Sequence, residues 1–216
     1  MWKLDKYVVE SLKESIPFLI VMAVVCALLW ACDPCSGQEF DGVCRLSGPT
    51  AQWSGVAISD TQILTVAHHN QTGDLRAEFP EGSHDSFNRM GVKARVIRSD
   101  AKKDLSLLSY EVPVWLKVKS YPISREKGKG RVRGFIGADP LTSPVRVIRT
   151  DATVNGYGIV TMKAPELEYL ETLSGMSGSP ILTDTGVRGI QFGQIQSEKT
   201  VEVVSIETIL LFLEEK

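Results

Sequence analysis

Cysteine is nearly missing from this chain of 216 residues: Cys26, Cys32, Cys35 and Cys44 all fall in the first 44 positions, and the remaining 172 have none. A disulfide can therefore involve only the N-terminal part. Histidine is almost as scarce, with His68, His69 and His84 alone, and neither these nor the Cys32-x-x-Cys35 pair has the second cluster that a metal site requires. No metal or other cofactor is expected. The 24 Lys and Arg against 26 Asp and Glu leave a net charge of −2, so the bulk positive potential on which non-specific nucleic-acid binding depends is lacking. Nucleic acid is not an expected partner. A composition 43% hydrophobic and 23% charged excludes a disordered chain, and a single long apolar run excludes a polytopic membrane protein. What is plentiful is turn-forming residues, 18 Gly and 10 Pro, which suits many short strands better than a few long helices.

The one uncharged run is Ile16 to Cys32, IPFLIVMAVVCALLWAC, behind a leader in which Lys3, Asp5, Lys6, Glu10, Lys13 and Glu14 alternate in sign. As a helix it extends about 25 Å, slightly short of a hydrocarbon core of about 30 Å, so a spanning anchor and a signal-peptide core both fit. The leader is long for a signal peptide and no clear small-x-small cleavage site follows, which favours an anchor. Three Lys precede the run and no Lys or Arg follows it before Arg45, so the positive-inside rule exports everything beyond Cys32. The expected protein is single-pass, N-in and C-out, held to the membrane through residues 16–32; a secreted or periplasmic product after cleavage is the alternative. Cys32, Cys35 and Cys44 would then allow one disulfide and one leftover thiol. Leu29-Trp30-Ala31-Cys32 has the loose form of a lipidation site, but Trp30 is too bulky for that pattern.

Beyond Cys44, short apolar or alternating runs are separated by turn residues. Eleven strands are expected at 52–58, 62–66, 76–79, 92–98, 104–110, 130–136, 144–149, 153–162, 180–183, 187–192 and 201–205, a spacing that signals a sandwich or a pair of barrels. Residues 206–215 carry a helical apolar face and are expected to close the chain as a helix. No internal repeat is visible. Pro113 to Gly130, with prolines, a charge cluster and glycines, is the expected internal boundary.

Three patterns carry chemistry. A hairpin leads into Thr65-Val66-Ala67-His68-His69 and places an imidazole at a strand end. Lys103-Asp104-Leu105-Ser106-Leu107-Leu108 puts an acid at the head of a strand. In Leu173-Ser174-Gly175-Met176-Ser177-Gly178-Ser179-Pro180, glycines flank a serine and permit a tight turn that aims backbone N–H groups inward. Each alone has an ordinary structural reading, as a hydrogen-bonded His, a capping Asp or a glycine-rich turn. Together His68, Asp104 and Ser177, spaced 36 and then 73 residues apart, make a complete set of base, orienting acid and nucleophile.

From about Gln52 to Glu214 the chain resembles the chymotrypsin-like, trypsin-fold serine peptidases, with Thr65-Val66-Ala67-His68, Asp104-Leu105-Ser106-Leu107-Leu108 and Gly175-Met176-Ser177-Gly178-Ser179-Pro180 in the places of the three family motifs. The serine motif looks closer to glutamyl-endopeptidase-like enzymes than to digestive trypsins, and the run Thr172 to Gly178 is also similar to the Thr-x-x-Gly-x-Ser-Gly motif of some plant-virus proteases. The resemblance implies an all-β fold of two perpendicular six-stranded antiparallel barrels with a C-terminal helix, preceded by the N-terminal transmembrane or signal helix. Residues 1–35 would be leader and anchor, and 36–216 the peptidase domain, with a first barrel at about 50–116, a second at about 130–205 and the helix at 206–215. It further implies a serine endopeptidase acting on protein or peptide substrates. Ser177 would attack the carbonyl, His68 would move the proton, Asp104 would hold the imidazole, and the N–H groups of Gly175 and Ser177 would form an oxyanion hole. Losing one such donor typically costs about 2.7–4 kcal/mol of transition-state stabilisation.

The departures are informative as well. Met176 stands where digestive trypsins carry an acid, and no Ile-Val-Gly-Gly start is present, so activation by a buried terminal ion pair is excluded. Strand alternation would send His68 and His69 to opposite faces, and the motif selects His68. Thr172 and the segment Gly189-Ile190-Gln191-Phe192-Gly193 are expected to border the primary specificity pocket by the same resemblance, with Gln191 about where glutamyl-specific relatives have histidine; a small or polar side chain before the scissile bond is the resulting expectation. Arg125, Lys127, Lys129, Arg131 and Arg133 read as a solvated connector, His84 as a solvated loop residue, and Asn70-Gln71-Thr72 as a chance sequon. The rival function is a catalytically inactive, membrane-tethered binding or scaffolding protein on the same fold. An esterase of the Gly-x-Ser-x-Gly type is excluded by chain order, because His precedes Ser here.

Overall fold

Runs of β-branched and aromatic residues become strands where each can lay its apolar side chains into a shared interior, and the strands here close on themselves twice. The computed structural model describes residues 39–69, 74–82, 88–114, 116–126, 130–154, 157–163, 174–195 and 200–215, of which 143–154, 157–163 and 194–195 are described by backbone alone. The apolar run 16–32, Cys26, Cys32, Cys35, the sequon at Asn70, His84 and Thr172 lie outside the described residues. Residues Gln38–Lys216 form one compact unit.

Fourteen strands and a helix are found among the described residues: β1 Glu39–Phe40, β2 Val43–Ser47, β3 Gln52–Ser59, β4 Gln62–Thr65, β5 Leu75–Pro80, β6 Arg89–Asp100, β7 Leu105–Tyr110, β8 Lys117–Val118, β9 Gly130–Ile136, β10 Asp139–Val154, β11 Tyr157–Lys163, β12 Pro180–Thr183, β13 Gly186–Ile195, β14 Thr200–Val204 and α1 Ile206–Glu214. Strands β2 to β7 close into an antiparallel barrel in the order β2-β3-β4-β7-β6-β5. The remaining long strands hydrogen-bond in the order β10-β11-β14-β13-β12-β9, and the β9–β10 pairing completes the ring. β1 and β8 form a separate parallel pair.

Three strands exceed the sequence expectation. The first barrel begins at Val43 in β2 rather than near residue 50. Arg45 breaks the apolar character of that strand, and it is tolerated because β2 and β5 pair in register Arg45↔Glu78, which brings the two side chains into an ion pair. The expected strand 153–162 is instead the end of β10 and the start of β11, joined where Val154 pairs with Tyr157. Only Asn155-Gly156 separates them, the dipeptide that two-residue hairpins favour.

One apolar cluster fills the first barrel around Leu46, Trp53, Val56, Leu64, Ala77 and Leu105 and runs on beneath α1 to Ile209 and Phe212. A second cluster consists of Val132, Met176, Ile181, Val201 and Val203. Helix α1 starts where Ser205 accepts from the Thr208 N–H, and Ile206, Thr208, Ile209 and Phe212 form its buried face. Cys44 is a free thiol buried in the first barrel, which agrees with one leftover thiol among the three; burial, reinforced by Asp41, pushes its pKa up. One sequence expectation needs correction. Arg133 is not part of a solvated connector: it is mostly buried, because Asp41 and Tyr121 cover it and Asp41 pairs with its guanidinium.

Candidate active site

Strand β4 ends at Thr65, and the chain bends and turns through Ala67, His68 and His69. Asp104 closes the turn between β6 and β7 with a φ of 52°, a left-handed conformation that Asp tolerates better than most residues. There its Oδ1 accepts from the backbone N–H groups of Ala67 at 3.0 Å and His68 at 2.9 Å, while Oδ2 lies 2.7 Å from His68 Nδ1. A carboxylate is only an acceptor, so Nδ1 carries the proton and Nε2 keeps its lone pair facing outward from the pair.

His69 does not point away from His68. The two residues follow the end of β4 and escape strand alternation, and their ring centroids are 4.2 Å apart. His69 also packs against Trp53, at 5.6 Å between centroids. Its pKa is lowered from the ordinary 6.5, first by burial and second by the neighbouring His68. Asp104 touches His68 and distinguishes the two imidazoles.

The serine segment is a tight loop ahead of β12. Gly175 has a φ of 102° and Gly178 a φ of 86°, both outside the range of ordinary L-residues. Space is short as well: a Cβ on Gly175 would lie 2.6 Å from the Phe135 carbonyl oxygen, and one on Gly178 would run into Ser54 O and Thr65 Oγ1. Within the loop the Ser179 N–H donates to Met176 O at 2.9 Å; outside it Gly137 N donates to Ser174 O at 3.2 Å, Gly178 N to Gln191 O at 2.7 Å and Gln191 N to Ser179 O at 2.8 Å. Met176 is fully buried among Val132, Ile181, Val201 and Val203. The loop is thereby anchored by an apolar side chain at the position where digestive trypsins have an acid, an insertion that contributes about 1.5–3 kcal/mol for a side chain of this size.

His68, His69, Ser174, Gly175 and Ser177 line one pocket of about 700 Å³, whose far walls are the β2–β3 hairpin tip at residues 48–52 and the turn at Gly137. The structure thus brings His68, Asp104, Gly175 and Ser177 into one neighbourhood. Gln191, Phe192 and Gly193, by contrast, do not line this pocket. They lie on β13, where Gln191 is 2% exposed and its Oε1 has no hydrogen-bond partner among the described residues. Sequence reasoning missed Ser54, fully buried on β3 against the serine loop, because a Ser next to Gly55 has no motif around it. Among the described residues no group of three His, Cys, Asp or Glu is placed to hold a metal ion, and no helix is long and apolar enough to cross a membrane.

No family model matches the chain, and no curated protein matches it. Solved structures do. The inactive form of the Rv3671c protease, a protein of M. tuberculosis, aligns with a TM-score of 0.63 at 17% identity over 80% of this chain and 87% of that one. The MamO protease domain from Magnetospirillum magneticum gives 0.59 at 16% identity over 81% and 96%, and Deg5 gives 0.59 at 16% over 79% and 86%. Identities this low speak for the backbone alone, and on that ground the chain has the trypsin-like fold of these serine protease domains.

Proposed function

We propose that the protein is a serine endopeptidase whose nucleophile is Ser177, whose general base is His68 and whose orienting acid is Asp104. The observation that carries this reading is the Asp104 carboxylate, which spends Oδ1 on two backbone N–H groups and offers Oδ2 to His68 Nδ1 at 2.7 Å. Backbone bonds on one oxygen fix the other, so the imidazole is held in the Nδ1–H tautomer with Nε2 available to take the Ser177 proton and return it to the leaving amine. The imidazolium formed on the way is stabilised by the same carboxylate. Ser177 attack on a peptide carbonyl gives a tetrahedral oxyanion, which the N–H groups of Gly175 and Ser177 receive; among the described residues neither N–H has an acceptor. Collapse releases the amine and leaves an acyl-enzyme that water cleaves by the reverse proton route.

In the same reading the two strand rings stand perpendicular, Thr172, Gln191, Phe192 and Gly193 border the site for the residue before the scissile bond, and the domain is exported on a tether at residues 16–32. The uncharged hydroxyl and amide of Thr172 and Gln191 fit a small or polar side chain there. The test is labelling of the full-length chain by a fluorophosphonate probe. Wild type is expected to label, and Ser177→Ala and His68→Ala to lose labelling. Equal labelling of both variants would overturn the assignment, and a folded wild type that does not label would favour the non-catalytic binding protein.

A further inference from the structure

We propose that Ser54, a residue of the first barrel, is a positioning residue that sets the two oxyanion-directed N–H groups of the serine loop without touching substrate; the inference rests on the peptidase reading above. Every polar atom of this buried residue is engaged with the loop or its supports. Its N–H donates to Ser177 O at 2.8 Å, its hydroxyl donates to Gly175 O at 2.8 Å and accepts from Phe135 N at 3.0 Å, and its carbonyl accepts from Thr65 Oγ1 at 2.6 Å.

The pattern has a logic that appears when the loop is taken peptide by peptide. In a trans peptide the C=O and the N–H point in opposite directions, so holding one aims the other. The Ser174–Gly175 peptide is held at Ser174 O by Gly137 N, and the Met176–Ser177 peptide at Met176 O by Ser179 N. Their opposite ends are the Gly175 and Ser177 N–H groups, the pair assigned to the oxyanion. The alternating peptides, Gly175–Met176 and Ser177–Gly178, are both held by Ser54, one through its hydroxyl and one through its N–H. Ser54 therefore fixes the plane on the C-terminal side of each oxyanion donor. With Gly175 at a φ of 102° and free of a side chain, the bond from the Ser54 hydroxyl is what holds the plane of the Gly175–Met176 peptide at its carbonyl.

Only a hydroxyl serves both neighbours, because Gly175 O requires a donor and Phe135 N–H an acceptor at the same point. The Thr65 bond extends the arrangement to the strand that leads into His68, so one residue ties the approach to the base to the loop of the nucleophile. Gly178 confirms how close the approach is, since a Cβ there would strike Ser54 O.

The experiment compares full-length wild type, Ser54→Ala and Ser54→Thr by fluorophosphonate acylation kinetics, by the fraction of protein that labels and by amide hydrogen exchange at residues 174–179. In Ser54→Ala the limiting acylation rate of the protein that labels is expected to fall about 10²-fold with an unchanged half-saturating probe concentration, the size seen when one oxyanion donor is lost. Exchange at Gly178 and Ser179 is expected to accelerate, and Ser54→Thr, which keeps the hydroxyl, to recover rate. A merely structural role would reduce the fraction that labels and leave its rate constant alone. A rate constant within threefold of wild type in Ser54→Ala, or a loss of rate with no change in loop exchange, overturns the proposal. A wild type that shows the loop protection and loses it in Ser54→Ala, yet never labels, overturns the peptidase reading while the hold on the loop stands.

Discussion

His68 and His69 share one wall of the pocket, and Asp104 hydrogen-bonds to the ring of the first. The carboxylate pairs with His68, whereas His69 is half-buried beside Trp53 with the His68 ring as its other neighbour. Its folded pKa is below the unfolded value of 6.5. As pH falls through 6.5 the unfolded chain takes up a proton at this position that the folded chain refuses, so stability is lost from that pH downward until the folded value is passed. His69→Phe removes the penalty: its melting temperature is expected to fall less than that of wild type between pH 7.5 and acid pH, and parallel curves would show that His69 does not titrate in this way. At this scale the motif residues were readable because their chemistry demands specific side chains at specific spacings. The motif selects His68 over His69, but the strand alternation expected to separate the two rings does not operate there, since β4 ends at Thr65. Ser54 was unreadable because its partners Gly175, Ser177 and Phe135 are 81 or more residues away and meet it only in the folded chain.

The turn that presents Asp104 is tied to the end of the last helix. Asp100 Oδ1 accepts from Lys102 N at 2.8 Å and Lys103 N at 3.1 Å, and the buried Lys103 ammonium reaches Asp100 Oδ2 at 2.6 Å and both oxygens of Glu215 at 2.9 and 2.8 Å. Hydrogen bonding to Lys103 holds the Asp100 carboxyl below its usual range, and the Lys103 pKa is raised, first by Asp100 and then by Glu215. A lowered acid contributes stability above its unfolded pKa and loses it as pH falls through the folded one; a raised Lys contributes below its unfolded pKa and loses it as pH rises through the folded one. The clasp is therefore strongest across the neutral range. Lys103→Met is expected to cost about 1 kcal/mol at pH 7, the partners being partly exposed, and markedly less in strong acid, as chemical denaturation at the two pH values would show. Equal losses at both would mean that packing, not charge, is at stake. In the sequence Lys103-Asp104 is an ordinary polar turn, and Glu215 an ordinary helix end. The helix itself was legible from its apolar face, β9 from its alternation and β12 from its short apolar run.

Across the whole molecule, Asp41 near the start of the described chain, Tyr121 in the connector and Arg133 on β9 form one buried polar junction. Asp41 accepts from Val43 N at 3.0 Å and from the Tyr121 hydroxyl at 2.9 Å and pairs with Arg133, which also donates to the Tyr121 hydroxyl at 3.1 Å. Burial, with Asp41 beside it, has the phenol pKa pushed up to about 12. Arg133→Met leaves a buried carboxylate without its cation and is expected to cost about 3–5 kcal/mol, most of it recovered in the Asp41→Leu/Arg133→Met double variant. A double variant as unstable as the single one would show that the junction itself is needed. Strand spacing pointed to two groups of strands, and the motifs to how those groups are used, but a junction among residues 41, 121 and 133 involves no periodicity that a single chain displays. One last consequence follows from Cys44. Its thiol is sealed in the first barrel and held in the unreactive neutral form. A maleimide can reach it only when the barrel opens, so the rate at which the Cys44 peptide becomes modified, read by mass spectrometry, is a built-in clock for opening that works in detergent or vesicles, where heat and light signals are obscured.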